Sequence, residues 1–169
     1  IRFPGTLGAY TQAQADPFNH LTPSPHWRIL GCGIDLTQYV YCHEPDDFLA
    51  WVGRISPENG LEDAIAAAAT AGHPLKIYGK LEDMAYWQSL QPLVHQSPVA
   101  VDYCGFLPTE QLQRSLSQAR ALMVTPRWLE AFGIVTIEAM ACGVPVIAYR
   151  QGGPEEIICS GETGWLVEP

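Results

Sequence analysis

From Phe48 onward, six short apolar runs recur between stretches of helical periodicity, and few folds accommodate that alternation. The runs are Phe48–Val52, Leu75–Tyr78, Val99–Tyr103, Ala121–Val124, Val144–Ala148 and Trp165–Val167. Short, near-continuous apolar runs bounded by Gly or Pro read as strands buried on both faces. Between them, Leu61–Ala71 is rich in Ala, and Glu82–His95 places Met84, Trp87, Leu90 and Val94 at helical spacing. Thr109–Gln118 carries Leu112 and Leu116 on one face, Gly133–Ala141 runs toward a C-cap at Gly143, and Pro154–Ile157 opens a short helix. Strands alternating with helices imply β-α-β units with right-handed crossovers, hence a mostly parallel sheet. The expected fold is an α/β, Rossmann-like three-layer domain. Ligands of such sheets bind at the carboxyl ends of the strands, so the loops that follow each strand are where chemistry is expected.

Residues 1–30 read differently. Pro4, Pro17, Pro23 and Pro25 interrupt a segment with no sustained period of 2 or 3.6, so it is expected to be an irregular lead-in, with residues 31–169 forming the domain. Across all 169 residues, 47% are hydrophobic, which excludes disorder as a description of the chain. The net charge of −9 opposes a nucleic-acid-binding surface, which needs a basic face. Ala64–Gly72 is apolar but far short of the roughly 20 residues of a membrane span. Five cysteines without a C-x-x-C pair read as reduced thiols, and a cytoplasmic location is expected from them. The histidines show no ligand spacing, and no metal or other cofactor is expected.

Two loops stand out. Gly53-Arg54 follows the first strand, where Gly permits close backbone approach and Arg offers a fork of donors to phosphate oxygens; a turn with a surface Arg is the alternative. The stretch Thr125–Ala148 places a loop between a strand and a helix starting near Gly133. The N–H groups of Phe132, Gly133 and Ile134 would form an anion site there. Glu130 precedes it, and Glu138 follows among Ile134, Ile137, Ala139, Met140 and Ala141. An ionised carboxylate in that setting can accept hydrogen bonds from a pair of sugar hydroxyls. Gln151-Gly-Gly153 is a weaker signal for a strand end that approaches a phosphate.

Glu130-Ala-Phe-Gly-Ile-Val-Thr-Ile-Glu138 resembles the E-x7-E motif of retaining glycosyltransferases with the two-domain GT-B fold, family GT4, and Ala139–Ala148 resembles its continuation. Gly33-Ile-Asp35 is similar to the turn that opens the family's donor domain. Val52-Gly-Arg54 with Asn59-Gly60, Ile77-Tyr-Gly79, Val101–Gly105, Gly152–Ile157 and Gly164–Val167 resemble further landmarks, in order, so the resemblance covers about residues 31–169. It implies one half of a GT-B fold, the C-terminal donor-binding domain, ending before the family's closing helices. Glu138 would bind the donor ribose. Glu130, with the backbone at Phe132, Gly133 and Ile134, would hold the donor sugar and its diphosphate, and Arg54 beside Gly53 would neutralise the departing diphosphate. Tyr78-Gly79 and Phe106-Leu107 would receive the nucleobase. The donor would be a nucleotide-sugar of UDP or GDP type, used as substrate without a bound metal. The acceptor, a glycan, lipid or small molecule, would sit mostly on an N-terminal domain, which in relatives often carries membrane contact. The isolated domain would bind nucleotide but turn over little.

One departure concerns position 59, where the family's R-x4-K stretch has Lys and this chain has Asn59. Loss of a charge-assisted contact there would cost about 1.5–3 kcal/mol, unless Lys80 or Arg127 compensates. Asn59 also reads as a helix N-cap. A non-catalytic nucleotide-binding or regulatory module and a GT-B nucleotide-sugar epimerase are the alternatives. A dehydrogenase fits least, since Gly53-Arg-Ile-Ser-Pro-Glu58 is no G-x-G-x-x-G.

Overall fold

A computed structural model of the chain describes residues 6–21 and 27–169. Its first elements are strand β1 (Leu7–Ala9), helix α1 (Gln12–Ala15) and strand β2 (Trp27–Ile29). Then follow β3 (Leu49–Val52), α2 (Leu61–Ala71), β4 (Leu75–Tyr78), α3 (Met84–Gln96), β5 (Val101–Gly105) and α4 (Thr109–Leu116). The last are β6 (Ala121–Val124), α5 (Ile134–Ala141), β7 (Val146–Tyr149), α6 (Gly153–Ile157) and β8 (Gly164–Val167). Six strands form one wholly parallel sheet in the order β5-β4-β3-β6-β7-β8. This is the Rossmann-like α/β fold expected from the alternation.

The central strands β3 and β6 are apolar throughout because each serves two cores at once. Successive side chains of a strand point to opposite faces. Leu49 and Trp51 of β3 accordingly join one buried cluster, and Phe48 and Ala50 join the other. Ala121 and Met123 of β6 divide from Leu122 and Val124 in the same way. The first cluster is closed by Leu61, Ala64, Ile65 and Ala68, an i, i+3, i+4, i+7 stripe of α2, together with Leu90 of α3. Leu116 of α4 and Ala139 and Cys142 of α5 and its C-cap close the second. Burial of each large aliphatic side chain of this kind contributes about 1.5–3 kcal/mol.

Element ends differ modestly from the sequence expectation. The third strand begins at Val101 rather than Val99 and runs on to Gly105, with a register shift against β4 between Ile77 and Tyr78. Helix α3 starts at Met84, because the Asp83 carboxylate accepts from the Tyr86 amide at 2.9 Å and caps it. The larger correction lies before residue 31. Within a segment expected to be irregular, β1 and β2 pair in parallel, Leu7 opposite Trp27 and Ala9 opposite Ile29. Between them Thr11 caps α1 by accepting from Gln14 N. Strands of three residues are too short to display a period of two. Of that segment, residues 1–5 and 22–26 lie outside the described part.

The chain builds β3, β4 and β5 outward in one direction, then returns to β6 beside β3 and builds β7 and β8 in the other. Strand order reverses between β3 and β6. A crevice opens at their carboxyl ends, the place where open α/β sheets hold ligands.

Candidate functional site

Trp51 and Thr125 tie the two strand ends together under the crevice. Trp51 Nε1 donates to Thr125 Oγ1 at 3.1 Å, and that hydroxyl donates to Gly60 O at 2.9 Å. The network is buried, which fixes the loop after β3 against the loop after β6. Above it lies a cavity of about 390 Å³. Of the residues singled out from sequence, Gly53, Arg54, Asn59, Glu130, Gly133, Ile134 and Glu138 line it, joined by Val52 and Trp128.

A second cavity of about 230 Å³ adjoins the first and shares Val52, Gly53 and Arg54 with it. Tyr78, Gly79, Phe106 and Leu107 line this one, with Lys80 and Leu112. The two are halves of one cleft. Gly79, just after β4, lies against the backbone of Gly53, just after β3: at φ +144°, a Cβ would lie 1.8 Å from Gly53 O, so no other residue fits. Burial, the largest influence, pushes the Tyr78 hydroxyl up to about 12.

Helix α5 begins at Ile134 with Gly133 as its N-cap at φ +80°, and no side chain caps it. Among the described residues, the Gly133 and Ile134 amides have no hydrogen-bond partner, and both residues face the cavity. Phe132 departs from the expected anion site. Its amide points to Glu130 Oε1 at 3.4 Å, and its ring packs against Tyr10 with centroids 6.2 Å apart. A side-chain acceptor two residues upstream competes for that donor.

The double glycine also corrects its expected role. Neither Gly152 nor Gly153 lines the cavity. A Cβ on Gly152 would lie 2.2 Å from Glu130 O, and one on Gly153 would lie 2.3 Å from Phe132 O. The glycines admit the backbone of the Glu130 loop rather than a phosphate.

Arg54 lines both cavities but is already engaged. Its Nη1 donates to Glu82 Oε2 at 2.7 Å, and Nη2 lies 3.5 Å from Glu58 Oε1, all three side chains about half exposed. Pairs this wet are worth at most about 1 kcal/mol, so an incoming dianion can displace them. Asn59 is no N-cap: Gly60 holds that position at φ +62°. Asn59 Nδ2 instead donates to Arg54 O at 2.8 Å and Ser56 Oγ at 3.2 Å. Of the two cations considered as substitutes for a lysine there, exposed Lys80 lines the cleft. Arg127 is drawn away to α2, where Nη2 lies 2.9 Å from Asp63 Oδ1 and Nη1 meets Glu62.

Sequence reasoning missed Tyr39. Its hydroxyl donates to Glu138 Oε1 at 2.8 Å. Burial first, then the hydrogen bond to that carboxylate, hold the phenol protonated well above its usual range. The one signal that could have drawn attention was its place four residues after Asp35 in the Gly33-Ile-Asp35 turn.

Comparison with known proteins adds to this geometry. A family profile described as "Glycosyl transferases group 1" matches residues 42–169. Sucrose synthase isoform 1 of Daucus carota is 41% identical over 128 residues, 72% of this chain and 16% of that protein. A sucrose synthase of Solanum tuberosum is 44% identical over 59 residues, 35% of this chain and 7% of that protein. The chain thus spans a small part of the length of these relatives. Sucrose-phosphate synthase from Thermosynechococcus elongatus superposes with a TM-score of 0.82 at 28% identity, over 96% of this chain and 45% of that one. HepE of Anabaena, solved in complex with UDP and glucose, superposes with a TM-score of 0.87 at 24% identity, over 99% of this chain and 50% of that one, a likeness of fold.

Proposed function

The chain belongs to the glycosyl transferases group 1 family, and on that premise we propose that it is the donor-binding, C-terminal half of a retaining, GT4-type glycosyltransferase. The parent enzyme would move a sugar from a nucleotide-sugar to an acceptor hydroxyl with retained configuration. One observation carries this reading. Glu138, Glu130, the open amides at the start of α5 and the Arg54 guanidinium converge on a single crevice where strand order reverses.

In this reading Glu138 accepts hydrogen bonds from the ribose hydroxyls. Phe106, Leu107, Tyr78 and Gly79 enclose the base in the smaller cavity. The Gly133 and Ile134 amides, the positive end of α5 and Arg54 meet the diphosphate. As the glycosidic bond breaks, negative charge grows on the leaving diphosphate, and donors already aimed at it need no reorganisation. Glu130 orients the donor sugar. These groups would carry the reaction without a resident metal. The acceptor, with the second wall of the cleft, would come from another domain, so this chain alone would turn over little. No helix among the described residues is long and apolar enough to cross a membrane, and cytoplasmic action is part of the proposal. Uridine nucleotides are the first donors to try, because similar folds have been solved with UDP and UDP-glucose.

Calorimetric titration of the chain with UDP, GDP and ADP tests the reading. Saturable binding of one of them supports it, and binding of none contradicts it. A second reading, a nucleotide-binding module without catalysis, draws on Asn59, whose amide is turned to the Arg54 carbonyl and adds no charge to the cleft.

A further inference from the structure

We propose that Tyr39 is the positioning residue of the donor site: it fixes one oxygen of the Glu138 carboxylate so that the other meets a vicinal diol in the cleft. The proposal rests on reading Glu138 as the diol-binding group. Glu138 stands in the middle of α5, half-buried, on a flexible side chain that must lose rotamer freedom to hold a ligand. A carboxylate offers about four lone-pair directions. Tyr39 takes one of them, on Oε1, and among the described residues no other hydrogen bond reaches this carboxylate. Oε2 accepts no hydrogen bond among the described residues, and Glu138 lines the cavity.

Tyr39 suits this task because its own place is over-determined. Asp35 caps the turn Leu36–Gln38, accepting from Thr37 N at 3.0 Å and from Thr37 Oγ1 at 2.7 Å. The Tyr39 amide closes that turn on Leu36 O at 3.3 Å. One residue on, Val40 N donates to Oε1 of Gln113, a buried side chain of α4, at 3.1 Å. The Tyr39 ring packs on the core cluster shared by α4 and α5. Held at both ends and along its ring, the phenol delivers its O–H to one point. The ordering of Glu138 is then in place before a ligand arrives, and such preorganisation raises affinity.

The alternative is a phenol that only satisfies a half-buried acid. Titration of the 169-residue chain and its Tyr39→Phe variant with UDP and with 2′,3′-dideoxy-UDP separates the two. Phe keeps the ring packing and deletes the donor. The expected result is a roughly three- to tenfold weaker UDP affinity in Tyr39→Phe, the span of a single hydrogen bond, with dideoxy-UDP affinity unchanged. Equal weakening for both ligands, or no weakening for UDP, overturns the proposal. Glu138→Ala, run in parallel, isolates the underlying reading. If it too leaves the preference for UDP over dideoxy-UDP intact, Glu138 does not bind the diol and both claims fall. If it abolishes the preference while Tyr39→Phe preserves it, the role of Tyr39 alone falls.

Discussion

The backbone carbonyl of Glu130 accepts the amide of Gly153 at 2.7 Å, so the loop after β7 braces the loop that begins the candidate donor site. Residue 130 also bridges to Gly152 in parallel fashion, which extends the sheet by one pair beyond its strands. The contact requires backbone against backbone with nothing between.

Gly152→Ala should therefore weaken both fold and site. At φ +82° and ψ −136° the residue occupies a conformation that only Gly adopts readily, and the new methyl would meet Glu130 O. Strain of this kind costs about 1–3 kcal/mol. A thermal melt should fall by roughly 3–10 °C for a domain of this size, and nucleotide affinity should fall with it. An unchanged melt and affinity would show that the brace carries no weight.

Arg54 and Glu82 should act in opposite directions. If the proposed site is right, Arg54→Ala should weaken UDP by about tenfold or more, with a smaller effect on uridine, because a charged donor is lost from the cavity it lines. Glu82→Gln releases the guanidinium from its 2.7 Å partner and should strengthen UDP by up to about fivefold, the ceiling set by an exposed pair. Titration calorimetry at low and high salt reads both, and the effects should shrink with salt.

Position 59 and Lys80 test how the cleft manages without a second lysine. Lys80→Ala should weaken diphosphate binding about three- to tenfold, because its side chain lines the cavity beside Arg54. Asn59→Lys should gain less than about threefold, since it also removes the hydrogen bonds that Asn59 makes to Arg54 O and Ser56 Oγ. A gain of a hundredfold in Asn59→Lys would favour a degenerate, non-catalytic module instead.

Much of this was legible before the structure. Strands β3, β6 and β7 are apolar runs with no charged residue to obscure them, β4 is broken only by Lys76, and the Ala-rich run of α2 begins and ends at glycines that signal both boundaries. Site residues flanking β3 and β6 were findable because loop position after a strand constrains function. Tyr39 was not, since its partner is 99 residues away and nothing local in either segment encodes the meeting. The engagement of Arg54 by Glu82 spans 28 residues and depends on the loop after β4 pairing with the loop after β3, Ile55 opposite Leu81. Gly152 and Gly153 misled for a related reason: a glycine pair announces close approach but not what approaches.

Alkaline pH should destabilise the protein in a defined window. Burial raises the Tyr78 hydroxyl from its ordinary 10.0 to about 12, and Tyr39 and Tyr86 shift in the same direction. A raised folded-state value means the neutral phenol is favoured in the fold, so its stabilisation is fully present below pH 10 and is lost as pH rises toward 12. Denaturant titrations should give constant contributions from these groups at pH 7–9 and a decline above about pH 10, shallower in Tyr78→Phe than in the parent. A decline of the same slope in Tyr78→Phe would remove Tyr78 from the explanation.

The most direct measurement compares the chain with Glu138→Ala by calorimetry, using whichever of UDP, GDP and ADP the parent binds. The dissociation constant of the parent should lie on the order of micromolar to millimolar, within −8 to −4 kcal/mol of binding free energy. Removing the carboxylate should weaken it at least about tenfold, the loss of hydrogen bonds to a charged group. A Glu138→Ala variant that folds as the parent does and binds the nucleotide equally well would contradict the assignment of this crevice as the donor site.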